Sequence, residues 1–177
     1  GIIAEYNPFH NGHLYHINKI KEELKADGII CVMSGNFVQR GEPAIFDKWA
    51  RTKMALRGGV DLVFEHPVCF STATAEIFAE SSIKMLFETQ VVKTISFGVE
   101  EYHKKELLYL GELLSDEPAL FKDLIKSHLS KGMSFAAARE KAVIEYSMHG
   151  NTEWDVKLLS RLLKKSNALL AIEYIKA

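Results

Sequence analysis

Four short apolar runs, Gly1-Ile-Ile-Ala4, Gly28-Ile-Ile-Cys-Val-Met33, Asp61-Leu-Val-Phe64 and Thr94-Ile-Ser-Phe97, punctuate the first hundred residues. Their spacing of roughly 30 residues is the length of a βαβ unit. Between them, His13 to Lys25, Asp47 to Arg57 and Ala75 to Glu88 carry apolar residues at helical spacing, and Gly58-Gly59 forms a stop after the second. Strands that are apolar on both faces and joined by helices predict a buried parallel sheet, so the fold class is α/β. After Glu100 the strand signal ends. The remainder reads as helices over Tyr102 to Leu114, Pro118 to Ser130, Ser134 to Met148, Asp155 to Leu163 and Leu169 to Lys176. The pattern predicts one domain over 1–177, with a parallel core over about 1–100 and a helical region over about 101–177 that is either an insertion or a cover.

Composition bounds the function. With 177 residues, 47% of them hydrophobic, the chain has enough material for one full core. A formal net charge of −1 gives no global attraction to nucleic acid or an anionic membrane, so an RNA partner must be met by a local patch. Two cysteines, Cys31 in an apolar run and Cys69 in an expected loop, make neither a disulfide framework nor a four-cysteine zinc site. A reducing compartment, the cytoplasm, is expected. No apolar run approaches the roughly 18 residues that span a bilayer, and no membrane partner is expected. Because Gly1 already lies inside a strand-like run, the chain reads as a fragment of a longer protein.

The densest chemistry follows the first run, where Glu5-Tyr-Asn-Pro-Phe-His-Asn-Gly-His-Leu-Tyr-His16 places three histidines in seven positions. This is the first βα junction, and open parallel sheets bind ligands beyond the carboxyl ends of their strands. Pro8 ends the strand, and Gly12 turns the chain into a helix that His13 is expected to open, leaving free amide N–H groups as an anion seat. His10 and His13, at i and i+3, bracket that seat, where imidazole N–H groups donate to phosphate oxygens. Neither G-x-G-x-x-G nor a P-loop is present, so the histidines take over the work of those devices. Two other readings stay open at this stage. His10, His13 and His16 with Glu5 form a conceivable metal cluster, although no metal is expected, and the histidines equally suit a binding loop without chemistry. His16 alone reads as a helix-surface residue.

The sequence His-Asn-Gly-His at 10–13 fits the H-x-G-H signature of the nucleotidylyltransferase superfamily. The longer strings "AEYNPFHNGHLYH" at 4–16, "SGNFVQRGEPAIFDKWARTKMAL" at 34–56, "DLVFEHP" at 61–67, "FGVE" at 97–100 and "NALLAIEYIKA" at 167–177 resemble one family, the bacterial tRNA(Met) cytidine acetate ligases. That resemblance implies a Rossmann-like sheet of the nucleotidylyltransferase type with additional C-terminal helices. It implies a ligase that uses ATP, with Mg2+, to join acetate to AMP and then acetylates N4 of the wobble cytidine of elongator tRNA(Met). Its catalytic residues fall on His10 and His13. Its ATP contacts fall on Glu5, Tyr6, Asn7, Pro8, Phe9, His10, Asn11, Gly12, His13, Leu14 and His16, then on Gly98 and on Asn167. The chain departs from the family at Ser166-Asn167-Ala168, where Pro-Asn-Asn is usual, at Val99, where serine is common, and at His66, where an apolar residue precedes the proline. The resemblance also implies that members continue past the equivalent of Ala177, with further nucleotide-binding residues and a region that helps hold tRNA.

Read for chemistry, the second βα loop, Ser34 to Pro43, carries polar and basic groups to the same sheet edge. Arg40, with Lys48 and Arg51 at i and i+3 on the next helix, are candidates for pyrophosphate or an RNA backbone, or else a solvated helix face. Phe37 and Trp49 either stack on a base or join the core. Glu65 and Glu100, each following a run, are pocket carboxylates or helix caps. A stripe of Lys157, Arg161, Lys164 and Lys165 suits a phosphate backbone or a solvated face. Two alternatives to the ligase remain: an adenylyltransferase acting on a phosphorylated small molecule, and a non-catalytic nucleotide-binding module.

Overall fold

Parallel pairing organises the first half of the chain. In the computed structural model, which describes residues 1–149 and 154–177, β1 (Ile2–Ala4), β2 (Ile30–Ser34) and β3 (Leu62–His66) form one sheet in that order. The register sets Ile2 beside Cys31, Val32 beside Phe64 and Ser34 beside His66. Helices α1 (Asn11–Leu24) and α2 (Lys48–Arg57) connect the strands, and α3 (Val68–Ser71) and α4 (Ala75–Glu88) follow. Parallel pairing puts all three carboxyl ends at one edge of the sheet. These elements, with the chain to Gly98 and the single residue Ala177, make one compact unit, and Val99–Lys176 makes a second.

The α/β class expected from the alternation is the one observed, with local differences. The run Thr94–Phe97 is not a strand. Among the described residues its one β-bridge is the parallel one between Ser96 and Ile2, with the Ser96 N–H donating to the Gly1 carbonyl at 2.9 Å. β1 is three residues long and offers that run little to pair with. β3 is not buried on both faces: Leu62 is 45% and Phe64 36% exposed, because β3 is a terminal strand of the sheet. Cys69 lies on the short α3 and is exposed, whereas Cys31 is buried at the sheet centre.

Helix starts follow side-chain chemistry. Asp47 caps α2 by accepting the Ala50 N–H at 2.8 Å, and Gly58 with Gly59 (φ +103°) ends it. The buried stripe of α1, Ile17 and Ile20, packs with Ile29, Cys31 and Val60 into the core under one face of the sheet. Burying an aliphatic side chain of this kind is worth about 1.5–3 kcal/mol.

The second unit holds α5 (Lys104–Asp116), α6 (Ala119–Ser130), α7 (Phe135–His149), α8 (Val156–Leu162) and α9 (Ser166–Lys176). Gly111 lets α5 approach α9 closely, since a Cβ there would lie 2.4 Å from Ile175 Cγ2. Leu158, Leu159 and Leu162 bury one face of α8. Its basic stripe is not a free phosphate track: Arg161 pairs with Glu101 at 2.9 Å and Lys164 with Glu140 at 2.7 Å. Carboxylates presented by neighbouring segments neutralise half of the stripe.

Candidate active site

The first βα junction is built by its own side chains. Helix α1 opens at Asn11 rather than at His13, because His10 is its N-cap. The His10 Nδ1 accepts the Gly12 N–H at 3.0 Å, and the His13 Nδ1 accepts the His10 N–H at 3.2 Å, a reciprocal capping box made of two imidazoles. The N–H groups of His13 and Leu14 turn back to the His10 carbonyl. The anion seat of free amides expected from the sequence is therefore largely satisfied internally. What the junction offers instead follows from the tautomer. With both Nδ1 atoms accepting, the proton of each neutral ring sits on Nε2.

The two rings stack with 3.7 Å between centroids. Gly12 serves this stack: a Cβ on it would meet His10 Cε1 at 2.9 Å. The space beside Gly12 thus belongs first to the His10 ring, where the sequence reading left it to a ligand. His13 lies half-buried, in a T-shaped pair with Tyr6 (4.8 Å between centroids) and a tilted one with Phe9 (5.6 Å). Burial, then His10 and His16, hold its pKa down at about 4, so it is a neutral N–H donor at pH 7.

Tyr6 is buried at 2% exposure and adopts φ +46°, a left-handed conformation that costs a bulky residue about 1–3 kcal/mol and persists only where its surroundings enforce it. The Asn7–Pro8 peptide that follows is cis. Burial also raises the pKa of the Tyr6 hydroxyl and pushes the Cys31 thiol, with which it hydrogen-bonds, up to about 12. Neither ionises near neutral pH.

Glu5 and Asn7 commit their side chains to the second βα loop. The Glu5 carboxylate accepts the Gln39 N–H at 2.8 Å, and the Asn7 amide oxygen accepts the Ile45 N–H at 2.7 Å. Pro8 and Phe9 are half-buried, and Phe9 fills the space that Gly58 leaves by lacking a Cβ. Asn11 and Leu14 are exposed on the first turn of α1. His16 is not a free surface residue: it is half-buried, and its Nε2 lies 2.8 Å from Ser96 Oγ, tying α1 to the segment beside β1. Gly98 is exposed with open space around it.

Of the three basic candidates, Arg51 is a correction. It is fully buried at 0% exposure, and its guanidinium donates to the carbonyls of Glu5, Gly35 and Phe46, leaving it unable to hold pyrophosphate or RNA. Burial lowers its pKa, while the carboxylates of Glu5, Asp47 and Glu65 act in the opposite direction. Spacing from Lys48 suggested a basic face, but Arg51 also stands four residues before the fully buried Ala55. That spacing was the available sign that it faces inward. Lys48 pairs with Glu65 at 2.6 Å, and Arg40 is exposed. Glu65 thus serves an ion pair beside Gly35, and Phe37 and Trp49 lie on the surface, at 43% and 68% exposure.

In the second unit, Glu100 is a helix cap: its two carboxylate oxygens accept the N–H groups of Asn167 and Ala168, at 3.1 and 3.2 Å, in the first turn of α9. The side chain of Asn167 is exposed. Among the described residues, no three His, Cys, Asp or Glu side chains converge as a metal site, and no helix is long and apolar enough to cross a membrane.

Comparison with known proteins places this arrangement. The chain is 47% identical over 178 residues to the tRNA(Met) cytidine acetate ligase of Halothermothrix orenii and 50% identical over 177 residues to that of a Thermoanaerobacter species, covering 100% of this chain and 42% of each relative. A crystal structure of Thermotoga maritima TmcAL bound with alpha-thio ATP matches with a TM-score of 0.94 and 43% identity, over 99% of this chain and 42% of that one. The chain therefore spans less than half the length of the relatives it matches. A sequence model described as HIGH Nucleotidyl Transferase covers residues 1–177, the whole chain with its His10-Asn11-Gly12-His13 motif. On that match, the chain belongs to the HIGH nucleotidyl transferase family.

Proposed function

We propose that the chain carries out the ATP-dependent activation of acetate in a tRNA(Met) cytidine acetate ligase. A carboxylate oxygen of acetate attacks the α-phosphorus of ATP, the α–β phosphoanhydride bond breaks, and pyrophosphate leaves with the electron pair. The acetyl-adenylate then acylates N4 of the wobble cytidine of elongator tRNA(Met), which loses a proton as AMP departs. The observation that carries this reading is the His10–His13 pair, two neutral rings with their protons directed to Nε2 by the capping box, in a chain 47–50% identical to relatives of that name. Neutral N–H donors suit the α-phosphate because they stabilise charge as it develops without a compensating proton loss. Tyr6 to His16, Gly98 and Asn167 are the proposed ATP-binding positions, with Glu5 and Asn7 acting through the loop they hold.

ATP is the proposed cosubstrate, and Mg2+ its companion. The Glu5 and Glu65 carboxylates are engaged, with Gln39 and Lys48 respectively, so the junction fits an ion held by phosphate oxygens and water rather than by a protein cage. Of Arg40, Lys48 and Arg51, Arg40 is the remaining candidate for tRNA or pyrophosphate. The cytoplasm is the proposed location, where tRNA is the acceptor.

The test is isotope exchange of pyrophosphate into ATP, with acetate present or withheld. Acetate-dependent exchange is expected. Exchange that needs a phosphorylated metabolite instead identifies an adenylyltransferase, and ATP binding without exchange under either condition identifies a binding module.

A further inference from the structure

Arg51 is the largest fully buried side chain in the molecule's described residues, yet no step of the proposed chemistry touches it. Its three carbonyl partners come from three separate places: Glu5 at the end of the first strand segment, Gly35 just after β2, and Phe46 just before α2. The Glu5 carbonyl belongs to the peptide that enters Tyr6, the residue held at φ +46°. The Tyr6 ring in turn packs its edge on His13, 4.8 Å between centroids. A planar guanidinium with donors in a fixed fork is suited to hold several carbonyls at set separations, which a flexible ammonium is not.

We propose that Arg51 is a positioning residue for the reaction: by clamping the Glu5 and Gly35 carbonyls it enforces the left-handed turn at Tyr6, and through the Tyr6 ring it fixes His13 in the stack with His10. The second tie on the same turn is Asn7, whose amide oxygen holds the Ile45 N–H. The proposal rests on the acetate-activating reading for its rate measurement, and on geometry alone for its spectroscopic one.

The experiment compares the wild-type chain with Arg51→Lys, which keeps the charge and loses the fork. Acetate-dependent exchange supplies kcat and the KM for ATP, and histidine ring NMR supplies the titration midpoint of His13. Displacement of a reacting group by about 1 Å costs about 10²-fold, so kcat should fall about 10²-fold while KM stays within about threefold. The His13 midpoint, held at about 4 by burial, should rise toward the ordinary histidine range as Tyr6 withdraws. A folded variant in which either kcat or the His13 midpoint keeps its wild-type value overturns the proposal. If the wild-type chain shows no exchange with acetate, the functional reading fails, and the His13 midpoint alone decides whether Arg51 braces the ring. If Arg51→Lys does not fold, the wild-type Arg51 Nη signals and Asn7→Ala take its place. Resolved, slowly exchanging Nη protons, together with a raised His13 midpoint in Asn7→Ala, uphold the clamp, and the lack of either overturns it.

Discussion

The His10 ring caps the Gly12 N–H, the His13 ring caps the His10 N–H, and the two stack at 3.7 Å, so the same two rings that present the proposed phosphate donors also start the helix that carries them. Stability and chemistry are coupled in these two residues, and substitutions can separate them.

His10→Ala removes both roles. Loss of the N-cap should cost about 1 kcal/mol, and loss of one transition-state donor should lower acetate-dependent exchange by about 10² to 10³. His10→Asn retains a side-chain oxygen for the Gly12 N–H and should recover most of the stability and little of the rate. Denaturant unfolding and exchange rates measured side by side make the comparison. An asparagine variant at the wild-type rate would remove the His10 ring from the mechanism.

Gly12→Ala tests the stack itself. The added methyl would stand 2.9 Å from His10 Cε1 and must push the ring aside, since the neighbouring atoms are the imidazole that caps the helix. We expect a folded protein, with exchange reduced by about tenfold or more and a smaller rise in melting temperature on adding ATP. An unchanged ATP-induced shift would show that the nucleotide does not depend on the position of His10.

His66 predicts a pH dependence away from the site. It is fully buried; its Nε2 lies 2.8 Å from Ser81 Oγ, and its Nδ1 has no hydrogen-bond partner among the described residues. Burial holds its pKa at about 4, below the ordinary 6.5, so between these values the unfolded chain binds more protons than the folded one. The stability from keeping His66 neutral is complete above pH 6.5 and is lost as pH falls toward 4. His66→Leu removes the orphaned nitrogen and the titration together, while Ser81 keeps its bond to the Ile77 carbonyl. Its melting temperature should equal or exceed that of the wild type at pH 7 and pull further ahead by pH 5. His13 shares the same window, so both proteins still weaken in acid. A gap that is constant from pH 7 to 4.5 contradicts the assignment.

Gly111→Ala probes the second unit. Its Cβ would overlap Ile175 Cγ2 at 2.4 Å, so we expect a loss of about 1–3 kcal/mol from overpacking, despite the better helix propensity of alanine. Ile175→Ala opens a cavity and is destabilising alone, but the double variant should be more stable than the sum of the two losses. A double-mutant cycle read by urea unfolding measures that coupling, and strict additivity would place the helices further apart than described.

Much of this organisation is written locally. Apolar runs at βαβ spacing located β1, β2 and β3, and helical periodicity located every helix longer than one turn among the described residues, because both report which side of a short segment is buried. The H-x-G-H motif marked the first βα junction, since His10, Gly12 and His13 act through backbone contacts only two or three residues away. Tertiary contacts decided the rest. Arg51 reaches a carbonyl 46 positions away and is a buried clamp, although its place in a charged helix suggested an exposed cation. Thr94–Phe97 has the composition of a strand, but a three-residue β1 gives it one bridge among the described residues. Leu62 and Phe64 look like core until β3 proves to be the last strand of the sheet. A periodic pattern records how apolar a segment is and on which side. Which partner arrives there depends on chain closure between distant residues, and only the folded structure supplies that.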